Sequence, residues 1–236
     1  MASTLCVTAT GNAGFFISVD EFACAVDALW MPPPRFLGAP PRWTPPGKLD
    51  LVLITHGHWD HVDARSVLRG TGPDTVVIGP PDVMEALRGK VRVASVTPQE
   101  RDGVGSSGSA TVGPASVTWF RTTHGHHHVS YLLDVAGFRL FHDGDNENTR
   151  SLPLAELRPV DVLLLCPWQG SGWEQFVREL SPRRWVLAHL SAEELRAHET
   201  GRFLPELCEE TPLPERITAL KPGETLRVEA GQTHLS

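Results

Sequence analysis

The chain is short of lysine, tyrosine and cysteine, and two of these shortages narrow what it can be. Lysine occurs only at Lys48, Lys90 and Lys221, arginine supplying the other basic side chains, and the formal net charge is −7. A phosphate backbone wants a basic face, so nucleic acid is not expected as the main partner. The four cysteines, Cys6, Cys24, Cys166 and Cys208, are scattered with no C-x-x-C pair. A chain of 236 residues with 41% hydrophobic content can bury a core without staples, so free thiols are expected rather than a disulfide framework. No apolar run approaches the length a bilayer requires. The first thirty residues carry no basic segment ahead of an apolar stretch, and Asp20 and Glu21 interrupt the apolar character present. The expectation is a soluble, cytoplasmic protein with no membrane partner. The Gly103 to Gly108 loop lacks the Lys and following helix of a phosphate-binding loop, which excludes that function.

Elements that are present alternate between strand and helix. Leu5 to Thr10, Phe15 to Val19 and Phe22 to Leu29 read as strands, separated by the turns Gly11-Asn12-Ala13-Gly14 and Asp20-Glu21. Met31 to Gly47 is too rich in proline for a central strand or helix interior, leaving an extended connector or a lid. Leu49 to Thr55 is a short buried strand, and Val62 to Leu68 a helix. Thr75 to Ile78 and Val91 to Val96 are strands flanking a helix from Pro81 to Leu87. The second half has strands at Ser116 to Thr122, Val129 to Val135, Phe138 to His142, Asp161 to Leu165 and Trp185 to Ala188. Helices at Trp173 to Leu180 and Ala192 to His198 and a closing strand at Thr225 to Glu229 complete it. Antiparallel hairpins open each half, which predicts an α+β fold of two sheets covered by helices. No linker separates independent units, so residues 1–236 are expected to form one domain.

The chemistry concentrates in His56-Gly57-His58-Trp59-Asp60-His61, directly after an apolar strand. Imidazole and carboxylate are the ligands of borderline cations such as zinc, manganese or iron. His56 and His58, two apart on an extended or turning backbone, point to one side and can share a cation. Asp60 and His61 follow as the chain enters a helix and can address a second one. Asp143-Gly144-Asp145-Asn146-Glu147 imitates the start of a calcium loop, but Asn148 replaces the required Gly and Leu154 the terminal Glu, which rules calcium out.

This run matches the H-x-H-x-D-H signature of the metallo-β-lactamase superfamily, and the chain most resembles its ascorbate-6-phosphate lactonase-like, Zn-dependent hydrolase branch. The likeness continues through Gly11-Asn12-Ala13-Gly14, Asp27 at the end of the third strand, and Thr123-His124-Gly125. It extends to Phe141-His142-Asp143-Gly144-Asp145, Val186-Leu187-Ala188-His189 and Pro222-Gly223-Glu224. The resemblance implies a four-layer αβ/βα sandwich with the site on the shared edge of two sheets. It places His56, His58 and His124 on one cation, Asp60, His61 and His189 on a second, and Asp145 between them. His124 is selected over His126, His127 and His128 because the family's ligand is the first after the strand, directly before Gly. Those three remain open as surface residues, donors to the ligands or substrate contacts, and Asp143 as an acceptor beside the site. His142, His198 and His234 read as structural or exposed. Asn146-Glu147-Asn148 departs from the small or aromatic residues that often follow the family's Gly-Asp pair.

The activity implied is hydrolysis of a small ester, lactone or amide by a hydroxide shared between two divalent cations, zinc ahead of manganese or iron. Asp60 both ligates and orients the nucleophile. A phosphodiesterase is the alternative. An iron-dependent oxidoreductase ranks lower, because the diiron pattern has Glu where His58 stands, as does a non-catalytic metal-binding protein. Trp43, Trp59, Trp168 and Trp173 are candidates for pocket walls, with core packing the prior role for each.

Overall fold

The structure is a computed structural model that describes residues 3–28, 47–89, 94–96, 104–125 and 127–230. The proline-rich segment up to residue 46, with Trp43, and His126 and His234 lie outside the described residues. The first sheet opens with an antiparallel meander of β1 (Thr4–Gly11), β2 (Gly14–Val19) and β3 (Phe22–Val26). To it β4 (Leu51–Leu53), β5 (Val76–Ile78) and β6 (Ala94–Val96) add in parallel, with α1 (Ala64–Gly70) and α2 (Pro81–Leu87) in the crossovers.

The second sheet repeats the plan. β7 (Ser107–Val112), β8 (Ala115–Thr122), β9 (His128–Val135) and β10 (Phe138–His142) form a meander. β11 (Val162–Leu165), β12 (Arg184–Leu187) and β13 (Ile217–Ala219) follow in parallel. Helices α3 (Leu154–Leu157), α4 (Trp173–Leu180), α5 (Ala192–Glu199) and α6 (Phe203–Leu207) fill its connections, and β14 (Thr225–Glu229) returns to pair with β1. Among the described residues each sheet has seven strands.

Side chains alternate across each strand, and this divides the core into three apolar layers between four structural ones. Leu51 and Leu53 face inward with Val7 and Ile17, meeting Val117, Leu133, Leu140, Val162 and Leu164 of the second sheet. Val52 and Ile54 face outward onto Val67 of α1 and Val83 and Leu87 of α2. Leu163, Leu165 and Trp185 do the same against Trp173, Phe176, Val177 and Leu180 of α4. The single tyrosine, Tyr131, crosses the middle layer. Its hydroxyl donates to the Ile54 carbonyl at 2.7 Å and approaches that of Ile78 at 3.3 Å, tying the two sheets together beside the ends of β4 and β5.

The expected α+β sandwich is the one observed, with differences in detail. Helix α1 starts two residues later than expected, because the Asp63 carboxylate caps it by accepting the Ser66 amide at 2.9 Å. The far end of the expected Gly103 to Gly108 loop is the start of strand β7. Gly108 pairs with Trp119, and a Cβ there would sit 2.7 Å from the indole, so the ring takes the place of a side chain. Strand β13 and helices α3 and α6 were not anticipated. Among the described residues no helix is long and apolar enough to cross a membrane.

Candidate metal centre

Strand direction brings the chemistry together. β1, β3 and β4 run parallel to one another, as do β8, β10 and β12, so the loops after their C-terminal ends converge on one edge of the sandwich. The turn after β4 is held by the His61 and Val62 amides, both donating to the His58 carbonyl, at 3.0 and 3.2 Å. That turn presents His56, His58, Asp60 and His61. The second sheet supplies His124 after β8, Asp145 after β10 and His189 after β12.

All seven residues named from the sequence meet here. They fall into three overlapping groups, His56–His58–His124, His56–His61–Asp145 and Asp60–His61–His189, each with ligand atoms within 4.8 Å of one another. His58 Nδ1 lies 2.9 Å from His56 Nε2 and 3.2 Å from His124 Nε2. Asp145 Oδ2 lies 3.3 Å from His61 Nε2, 3.5 Å from His189 Nε2 and 3.9 Å from His124 Nε2. Asp60 Oδ2 lies 3.3 Å from His189 Nε2.

Two atoms of this set bear on whether a cation fits. His61 Nε2 and Asp145 Oδ1 are buried with no hydrogen-bond partner. The 3.3 Å approach of His61 Nε2 to Asp145 Oδ2 lacks hydrogen-bond geometry. Each orphaned group costs about 1–3 kcal/mol, which a cation seated among them would offset. The donor set of imidazole nitrogens and carboxylate oxygens suits zinc, manganese or iron. The residues fit the ion.

A shell of partners orients these side chains. Asp27 accepts at Oδ1 from the Thr55 amide (2.8 Å), and at Oδ2 from the Thr55 hydroxyl (2.6 Å) and His61 Nδ1 (2.9 Å), with His142 Nε2 at 3.3 Å. Thr55 Oγ1 also stands 2.9 Å from His56 Nδ1. Glu147 Oε1 stands 2.9 Å from His124 Nδ1, and Gln169 donates to Asp145 Oδ2 at 2.9 Å. Asn12 donates to the Asp60 carbonyl at 3.1 Å, and the His189 amide donates to the Asn12 carbonyl at 3.1 Å. Thr55 and Gln169 had no signal in the sequence, while Asn12 appeared only within the family-like Gly11 to Gly14 turn and Glu147 only in the calcium-like run and as a departure from the family pattern, neither with a role. Asp27 stood out there only as the end of a strand.

The ionisation of the site follows from burial and from these pairs. Burial works against the charge on Asp27, Asp60 and Asp145, yet all three are held below the usual carboxylate range, Asp60 at about 2. His61 acts on each of them, joined by His142 at Asp27 and by His189 at Asp60 and Asp145. Burial also opposes charge on His61, but Asp27 and Asp145 override it and raise its pKa to about 10. His56 is pushed down to about 3 by burial and then by the neighbouring His61. Burial raises Asp143 to about 7. The centre thus keeps three ionised carboxylates close to His61, a field that holds a proton on that ring and draws cations.

Of the remaining candidates, His128 is buried and bonded on both nitrogens, which removes it from the surface readings. His127 Nδ1 meets Arg121 at 3.1 Å, and His142 is a buried partner of Asp27, in keeping with a structural role. Trp173 packs in the core against Trp185, whereas Trp59 (54% exposed) and Trp168 (37%) remain at the surface. Trp168 stands beside the centre, its ring 5.0 Å from that of His189 and its Nε1 donating to the His189 carbonyl at 3.3 Å.

A four-layer sandwich carrying this cluster on its open edge defines a β-lactamase-like metalloprotein. A family model described as a beta-lactamase superfamily domain matches residues 24–200, and the chain belongs to the metallo-β-lactamase superfamily. It is 25% identical over 251 aligned positions to a UPF0173 metal-dependent hydrolase of Pyrococcus furiosus, covering 94% of this chain and 99% of that protein. Among solved structures, Igni18, a metallo hydrolase from Ignicoccus hospitalis, superposes with a TM-score of 0.69 at 21% identity, over 97% of this chain and all of that one. CmlA, a diiron β-hydroxylase from Streptomyces venezuelae, superposes with a TM-score of 0.63 at 15% identity, over 97% of this chain and 54% of its own.

Proposed function

We propose that this metal-dependent hydrolase acts on a small ester, lactone or amide at a centre for two divalent cations, zinc ahead of manganese or iron. The observation that carries the reading is the Asp145 carboxylate, whose Oδ2 is shared between nitrogens of both His clusters. His56, His58 and His124 would hold one ion, Asp60, His61 and His189 the other, with Asp145 common to both. Divalent cations held there would supply Lewis acidity and lower the pKa of water from about 15.7 to about 7.

The chain's own side chains set the geometry for that chemistry. Asp27 and Glu147 fix two imidazole rings, Gln169 holds the shared carboxylate, and Asn12 tethers the Asp60 and His189 loops to each other. Next to His189 a groove of about 370 Å³ is lined by Trp168, Ala197, Phe203 and Leu207, with Glu193 and Arg202 among its charged residues. Its size suits a small molecule, and its lining is half apolar and half charged, Glu194 and Glu206 being the other charged residues. The site draws on loops of both sheets, which favours one domain as the working unit.

Metal analysis of the purified protein is the direct test, with about two equivalents per chain expected. Chelation should abolish turnover of a panel of esters, lactones and amides, and zinc should restore it. A single equivalent at full activity would sink the dinuclear reading. Turnover of bis-p-nitrophenyl phosphate alone would select the phosphodiesterase reading in its place.

A further inference from the structure

His128 sits among the cluster histidines, its ring centroid 5.2 Å from that of His56 and 5.8 Å from that of His124. By residue type it belongs with the ligands. Its hydrogen bonds assign it elsewhere. The Asp145 amide lies 3.0 Å from His128 Nε2, and a backbone N–H can only donate. His128 Nε2 is therefore an acceptor, and the neutral ring carries its proton on Nδ1. That N–H points at Thr122 Oγ1, 2.7 Å away. With its oxygen accepting there, the Thr122 hydroxyl is free to donate to Ser130 Oγ at 3.1 Å. Ser130 Oγ in turn donates to the Asp143 carbonyl at 2.9 Å and approaches its Oδ1 at 3.2 Å.

The chain of donors thus leaves the 143–145 turn at the Asp145 amide and returns to it at Asp143. Every member is buried. Once the backbone amide fixes the first bond, the polarity of the whole ring is fixed. Steric fit agrees: Gly144 has φ +63°, and a Cβ there would meet His128 Nε2 at 2.5 Å and Thr55 Cγ2 at 3.0 Å. The imidazole fills the space a side chain would need. Cross-strand register supplies the parts, since Thr122 pairs with His128 and Phe120 with Ser130 on β8 and β9.

We infer that His128 is a positioning residue and not a ligand: held as the Nδ1–H tautomer, it closes a ring of hydrogen bonds that fixes the turn presenting Asp145. The inference rests on the proposed function only for the role of Asp145, and the ring itself can be tested in metal-free protein. Imidazole-nitrogen NMR of isotope-labelled, metal-stripped protein, with His128 assigned by comparison with His128→Gln, should show a neutral ring unprotonated at Nε2. Adding zinc should leave that pattern in place. A proton on Nε2, or a shift of Nε2 to a metal-coordinated signature, would overturn the assignment.

Zinc titration against a competing chelator gives the second readout. His128→Leu and Thr122→Val should each weaken zinc binding about 10- to 100-fold with the number of bound ions unchanged at saturation. Thr122→Ser should bind as wild type, and His128→Gln, whose amide oxygen reaches the Nε2 position, should recover part of the loss. Wild-type affinity in both His128→Leu and Thr122→Val would refute the positioning role. Loss of one whole equivalent in His128→Leu, the other ion binding normally, would make His128 a ligand. Should His128→Leu fail to fold, the Thr122 pair carries the same test. Should the wild type bind no zinc, the two-cation reading falls and the NMR result still decides the ring.

Discussion

Replacing Asp27 by asparagine asks whether the proton on His61 governs cation binding. A carboxylate only accepts, so Asp27 Oδ2, 2.9 Å from His61 Nδ1, holds a proton on that nitrogen, and an ion takes Nε2 in place of the proton the metal-free ring carries there. Asparagine keeps the shape but offers one oxygen, which the Thr55 amide claims because it cannot face an NH2 group. The new NH2 then faces His61 Nδ1. The ring accepts there and moves its proton to Nε2, where the cation belongs. Losing a partner of this kind weakens metal binding about 10- to 100-fold. At about 1.36 kcal/mol per factor of ten, that is roughly 1.4–2.7 kcal/mol.

Asp27→Ala behaves differently. It strips the Thr55 amide, the Thr55 hydroxyl and His61 of their common acceptor inside the core. Breaking a buried pair in this way costs about 3–5 kcal/mol. For a chain of this size, roughly 2–4 °C per kcal/mol makes that about 6–20 °C in Tm. Thermal unfolding in excess chelator, beside zinc titration of the stripped protein, separates the two effects. Asp27→Asn should keep most of the metal-free Tm and lose zinc affinity, and Asp27→Ala should lose both. Zinc uptake by Asp27→Asn at wild-type affinity would refute the tautomer argument.

Tyr131→Phe should cost about 1–3 kcal/mol in thermal unfolding, because it leaves the buried Ile54 carbonyl without the hydroxyl that joins the sheets. Glu147→Ala frees His124 Nδ1 and should weaken zinc binding about tenfold in chelator competition, the lower end of such effects because Glu147 is half exposed. Burial raises the Cys24 and Cys166 thiols far above their ordinary range, so a thiol reagent at neutral pH should modify neither until the protein is unfolded. Mass spectrometry of the labelled native protein checks this, and modification of either residue in the folded state would contradict the packing.

The candidate ligands were legible because the His56 to His61 run is dense and sits at the end of an apolar strand. His124, Asp145 and His189 became legible through resemblance, each occupying the family's place after a strand. Their supports were not. Asp27 lies 34 positions from His61, and Glu147 lies 23 from His124, so no local pattern joins them. Strand β7 was hidden because Ser107, Ser109 and Thr111 alternate with glycine and alanine. That is too little apolar contrast for a period-two signal, and the strand is specified by its pairing with β8. β13 has three residues and α6 contains Pro205, so neither carries a pattern long enough to read. His128 could be placed only once the β8–β9 register set Thr122 opposite it.

The division of the cluster between the two halves of the sandwich has a mechanical consequence. His56, His58, Asp60 and His61 belong to one sheet, and His124, Asp145 and His189 to the other. Ions held by all of them, as proposed above, would act as a clasp between the two sheets. Mass action then couples occupancy to cohesion: at a free concentration a thousand times Kd, a ligand of the native state alone adds about 4.1 kcal/mol. Stripping the ions should therefore loosen the loops that carry these side chains first, while the strand ladders of the two sheets keep their hydrogen bonds longer.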